Sequence, residues 1–138
     1  MTVTLSASGI NWLAVAVVTL LSFVLGSLWH SPVLFGKTWK EESGFKFDMS
    51  KKSNMIILFL TTGLLHLVTL AGLAMFVGPA ATLGEGLHKG LFVSVMFILP
   101  AIAATHLFPG RTWKLILIDA GFYVVFFVIA GMIFGAWH

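Results

Sequence analysis

The sequence predicts an all-α membrane protein, a four-transmembrane-helix bundle with both termini outside and a longer basic cytoplasmic first loop. Three observations predict it. Of 138 residues, 59% are apolar and only 9% charged, with a mean hydropathy of +1.03, whereas a soluble domain carries about 25% charged residues. So few charges cannot cover a water-facing surface, so the apolar excess must face lipid. A secreted disulfide domain, a disordered tail and an ordinary cytosolic enzyme are thereby excluded. The charges are also clustered. Eight fall between Lys37 and Lys52, and Glu85, Lys89, Arg111, Lys114 and Asp119 are the rest. Finally, the stretches left between them each hold an apolar run of about 20 residues, enough to cross roughly 30 Å of hydrocarbon as a helix.

The four helices are placed at about 11–29, 55–77, 87–106 and 113–136, in a single domain spanning 1–138. The runs are continuous rather than alternating, which argues against a β-barrel. Lipid offers backbone groups no partner, so helix is the state that satisfies them. Helix one has no basic stretch before it and no small-x-small site after it, so it is expected to be a retained anchor rather than a cleaved signal. Ser31-Pro32 ends it, because the residue before proline leaves the helical region. Phe35 and Trp39 then stand four apart among lysines, which fits an interfacial helix at about 33–43 or, equally, an irregular basic loop. Gly78–Gly86, with Pro79, is a tight exterior turn, and Phe108-Pro109-Gly110-Arg111 a tight cytoplasmic one. Pro100 kinks helix three and frees the carbonyl of Met96.

The basic balance, net +3 with pI about 9.5, reads as topology rather than nucleic-acid binding. Lys37, Lys40, Lys46, Lys51 and Lys52 lie in loop one, Arg111 and Lys114 at loop three, and only Lys89 on the other side. Both termini are therefore expected to be periplasmic or exterior in a multi-pass protein of the bacterial inner (cytoplasmic) membrane. Trp12, Trp29, Trp39, Trp113 and Trp137 fall near the expected interfaces. With no cysteine, disulfides and thiolate chemistry are excluded.

Small and polar residues recur at helical spacing and are the natural packing stripes between helices in lipid. Ser22, Gly26, Gly63, Gly131 and Gly135 are the packing candidates. The last two form a G-x-x-x-G that would serve a homodimer or a neighbour within the chain. Asp119 is the one acidic or basic residue inside an apolar stretch, and a carboxylate there is costly enough to require a partner. His66 would meet it if their stripes face, forming a buried polar layer with Tyr123, Thr62 and Thr69, either to fix helix register or to handle protons. His30, His66 and His106 are the only candidate metal or haem ligands. Their spacing matches no ligand motif, so no metal and no cofactor is expected.

One block is distinctive: Trp29-His30-Ser31-Pro32, then Phe35-Gly36, then Trp39. Together with Asn11-Trp12-Leu13-Ala14, Leu117 to Tyr123 and the Gly131 to Trp137 ending, it resembles a bacterial family of small four-helix membrane proteins of unknown function. The resemblance runs almost end to end and implies a four-helix inner-membrane protein, with the W-[YH]-S-P-x-x-F-G-x-x-W block as its most characteristic surface. It implies no activity. Tyr often stands in that family at the place of His30, which weakens His30 as a ligand.

The expected function is a non-enzymatic oligomeric channel, transporter or accessory subunit. Its partners would be the lipid bilayer and a second copy or a larger membrane complex, with no nucleic acid. The alternative is a membrane-embedded metal- or haem-binding redox enzyme using His66, His106, Asp119 and Tyr123.

Overall fold

A computed structural model describes residues 5–46 and 50–138 of the chain. Asp48, counted among the loop-one charges, lies outside the described residues, as do residues 1–4 of the domain. Regular structure among the described residues is helical throughout. The helices are α1 (Trp12–Trp29), α2 (Gly36–Ser43), α3 (Lys52–Val77), α4 (Leu83–Leu107) and α5 (Trp113–Ala136). All but α2 are long and apolar enough to cross a membrane, which makes the chain a multi-pass membrane protein.

Local chemistry sets the boundaries. Asn11 opens α1 by accepting from the Ala14 N–H at 3.1 Å. α4 begins four residues before the expected start at 87. Thr82 and Glu85 form a capping box, in which Glu85 accepts from the Thr82 N–H at 2.7 Å and Thr82 Oγ1 from the Glu85 N–H at 3.3 Å. The glycines there suggest a turn, but this reciprocal cap outweighs them. α3 ends at Gly78, whose φ of 86° needs glycine. Lys89 reaches across to donate to the Val77 carbonyl at 2.7 Å, placing a cation on the negative end of α3. Pro100 follows a π turn, Ser94–Ile98, in which the Leu99 N–H donates to the Ser94 carbonyl. The wider turn absorbs the register shift that proline demands.

The termini and the α3–α4 connection share one end of the bundle, where Gly9, Pro79 and Trp137 line a common depression. The lysine-rich loop and the α4–α5 turn share the other. α5 is the hub: 39% of its most apolar stretch is buried, against 11% for α4. The core it shares with α1 and α3 is built from Val15, Val18, Leu70, Phe126, Phe127 and Ala130, all at 0–1% exposure. The outer faces carry Leu20, Leu60, Val68 and Phe97 more than 60% exposed. In water that surface would be a large penalty, but in lipid it costs nothing.

The G-x-x-x-G of α5 is used within the chain. Gly131 and Gly135 pack on Gly86 and Gly90 of α4 so closely that a Cβ on Gly131 would lie on the Gly86 carbonyl, and one on Gly86 on the Gly131 carbonyl. A Cβ on Gly90 would meet the Phe127 carbonyl, and one on Gly135 the Thr82 carbonyl. Two antiparallel helices thus touch backbone to backbone over two turns, the contact that small residues permit in membranes.

Candidate functional site

The site is built around Asp119 at the lysine end, and the Trp29–Trp39 block constructs half of it. α1 closes with the His30 N–H donating to the Gly26 carbonyl at 3.0 Å. The chain then doubles back, with the N–H of Phe35 on the Trp29 carbonyl at 3.1 Å and that of Gly36 on the Ser31 carbonyl at 3.0 Å. Ser31 Oγ caps the Leu28 carbonyl at 2.7 Å. Gly36 is buried so tightly that a Cβ there would overlap the His30 carbonyl, so the fold-back requires glycine at this position. Proline at 32 supplies the break that lets the chain turn. α2 therefore starts at Gly36 and returns across the bundle end, which is how Trp39 comes to reach α5.

Trp39 Nε1 donates to Asp119 Oδ1 at 3.0 Å, and His106 Nε2 donates to Asp119 Oδ2 at 2.7 Å. Both carboxylate oxygens are thus occupied by donors from sequence-distant elements, α2 and the last turn of α4. The His106 and Asp119 side chains are 22% and 24% exposed, half-sheltered under α2. Two more bonds fasten α2 to the α4–α5 turn. Arg111 Nη1 donates to the Ser43 carbonyl at 2.7 Å, and Thr112 Oγ1 donates to Glu42 Oε2 at 2.6 Å. Trp29 anchors the other side: Nε1 donates to the Ile118 carbonyl at 2.9 Å and the ring lies over Gly121. His30 completes the enclosure edge-on to Trp39, with ring centroids 5.2 Å apart. Its Nδ1 lies 2.9 Å from the Gly26 carbonyl, so Nδ1 carries the proton and donates.

The expected layer joining His66 to Asp119 does not form. His66 stands fourteen residues into α3 and Asp119 six into α5, about 21 Å and 9 Å along their helices at 1.5 Å per residue. Tyr123, one turn deeper than Asp119, meets His66 instead. His66 Nε2 is 3.3 Å from the Tyr123 hydroxyl, and His66 Nδ1 is 2.9 Å from Ser22 Oγ. Ser22 spends its own proton on the Thr19 carbonyl at 2.6 Å. Ser22 Oγ must then accept from His66 Nδ1–H, leaving Nε2 to accept from Tyr123 O–H. This is a second polar layer, one helical turn below the first and directed from α5 to α1.

Two further expectations are corrected. Thr69 is exposed, and its hydroxyl turns back to the Leu65 carbonyl at 2.9 Å, the usual way a threonine in a membrane helix satisfies itself. Ser22 does more than pack: it is the acceptor for His66. Thr62 is half-buried beside the layer, Gly63 packs under the Phe23 ring, and Gly26 stands 3.9 Å from the Phe122 ring by its missing Cβ. The sequence brings His106 together with Asp119 only in the redox alternative, and nothing in it pairs Trp39 with that carboxylate. Trp39 is the last residue of the motif block, and His106 shares the bundle end with Asp119. Among the described residues, no three His, Asp or Glu side chains converge as a metal site would need.

The Tyr123 layer carries a prediction. Tyr123→Phe removes the hydroxyl that donates to His66 Nε2 and is expected to cost about 1 kcal/mol of stability. Thermal unfolding in detergent should show it, and Ser22→Ala should show a comparable loss. The two should be less than additive, since both act through one imidazole. Full additivity would mean that the layer is not a connected unit.

These features define a class: a four-span membrane protein in which a half-buried carboxylate among apolar residues of its last span, Asp119, is covered by a short folded-back helix. The chain belongs to the family described as Protein of unknown function (DUF1761), whose model matches residues 13–135, in agreement with the expected membership of a family of unknown function. Neither the curated proteins nor the solved structures provide a match.

Proposed function

We propose that the protein is a non-enzymatic membrane subunit that works in an assembly, either as a homo-oligomeric channel or transporter or as the accessory subunit of a larger membrane complex. We place it in the bacterial inner membrane with both termini exterior. The observation that carries this reading is the closed core of the single chain. Below the His66–Tyr123–Ser22 layer the interior is filled by Val15, Val18, Leu70, Phe126 and Phe127, at 0–1% exposure. A polar passage through one copy has no room. Any path must run between copies, or the work is done on a partner docked to the bare outer faces of α1, α3 and α4. Support for this sidedness comes from Lys37, Lys40, Lys46, Lys51, Lys52, Arg111 and Lys114 at one end against Lys89 at the other.

The alternative, a metal- or haem-dependent redox enzyme, draws on His66, His106, Asp119 and Tyr123. Those side chains are already engaged in separate pairs, which gives that reading no specific support.

The test is the mass of the protein in lipid nanodiscs formed from native membranes, without detergent. A dimer or higher species, or a stoichiometric second protein, is expected. A bare monomer across protein concentrations would overturn the proposal. Because the chain has no cysteine, single cysteines at Ser6 and Ser53 report sidedness cleanly. A membrane-impermeant maleimide should label the first in intact cells and the second only after lysis.

A further inference from the structure

We propose that a groove between α1 and α5 at the lysine end binds one acyl chain of an anionic phospholipid. The groove is a cavity of about 190 Å³. Leu28, Trp29 and Leu34 wall one side, Phe122 and Val125 the other, and Phe126 is its buried floor. The lining is almost entirely carbon. Its one side-chain donor, Trp29 Nε1, is already committed to the Ile118 carbonyl. A dry apolar cavity of about 150 Å³ accepts a six-carbon ring, so this one has room for roughly seven or eight chain carbons. Leu28, Leu34 and Val125 on its rim are 54%, 45% and 42% exposed, so the groove is open to whatever surrounds the helices. Around membrane-spanning helices that is a lipid tail.

The headgroup chemistry follows from what stands above the groove. Lys114 precedes Val125 by eleven residues on α5, which at 3.6 residues per turn returns it to within about 20° of the same face, roughly 16 Å nearer the interface. Lys37 follows Leu34 by three residues, in the first turn of α2. Both lysines are exposed. Val33, next to Leu34 of the groove wall, is 85% exposed, an apolar side chain suited to the acyl–headgroup boundary. A tail in the groove thus points its phosphate toward the bundle end that carries Lys37 and Lys114, which favours a net negative headgroup over a zwitterionic one.

The experiment uses the full chain reconstituted into vesicles of equal phosphatidylglycerol and phosphatidylcholine, then released in mild detergent and weighed by native mass spectrometry. One retained phospholipid per chain is expected, with phosphatidylglycerol favoured roughly tenfold or more. Val125→Phe fills the groove from an exposed position and should abolish retention while leaving helix content unchanged. Lys37→Gln with Lys114→Gln should retain a lipid but lose the preference. The proposal is overturned if the wild-type chain retains no phospholipid, if Val125→Phe retains it equally, or if phosphatidylcholine is held as well as phosphatidylglycerol. An undiminished preference in the double lysine variant would overturn the headgroup assignment.

Discussion

Gly131→Leu is expected to be the most damaging single substitution in this chain. At most packed positions an added side chain displaces other side chains and costs about 1–3 kcal/mol. At Gly131 the obstacle is the Gly86 carbonyl, with the Gly90 Cα close behind. Backbone cannot rotate away, so α4 and α5 must part, and the contacts of Gly90 with Phe127 and of Gly135 with Thr82 part with them. The expected loss is about 3 kcal/mol or more, read as the midpoint of denaturant unfolding in mixed micelles or as failure to recover folded protein. Gly72→Leu is the control, because a Cβ there meets nothing within 4 Å. It removes a helix-interior glycine, which is expected to gain up to about 1 kcal/mol. If Gly131→Leu unfolds at the wild-type midpoint, or Gly72→Leu falls as far, close packing of α4 on α5 is not what holds this bundle.

Asp119→Ala is expected to release α2 from the bundle end. The substitution strands two donors, Trp39 Nε1 and His106 Nε2, in a half-sheltered place. Hydrogen bonds to a charged group contribute about 1.5–3 kcal/mol. Arg111 on the Ser43 carbonyl and Thr112 on Glu42 remain, so α2 should loosen rather than leave. Amide exchange over Gly36–Ser43 should accelerate roughly 10- to 100-fold while α5 beyond Phe126 stays protected. Asp119→Asn keeps one acceptor oxygen and should fall between the two. Unchanged exchange in α2 would show that the Trp39 bond is incidental to its docking.

Several features were legible in the residues one at a time. The charge gaps placed all four spans, because lipid imposes the same length and apolarity on each crossing. Asp119 stood out as the one charge inside an apolar stretch rather than in a loop or near a helix end, and Gly131 with Gly135 as a contact pair. The start of α4 was also legible, since Thr82 and Glu85 carry the capping-box spacing, but Gly84 and Gly86 drew the reading toward a turn. Gly86 and Gly90 repeat the spacing of Gly131 and Gly135. Recognising them as partners would have needed the antiparallel approach of two helices, which spacing alone does not encode.

The same division runs through the site. Crossing number, the basic end and the presence of a costly carboxylate depend on transfer free energies and charge, which are properties of each residue and sum along the chain. Which side chain meets Asp119 depends instead on depth and rotation, both set when rigid helices pack. Six residues into α5 and fourteen into α3 put Asp119 and His66 on different levels. Tyr123 therefore takes the histidine. The carboxylate is left to His106, thirteen residues before it, and to Trp39, eighty residues before it, which arrives only because Pro32 and Gly36 turn α2 back over the bundle.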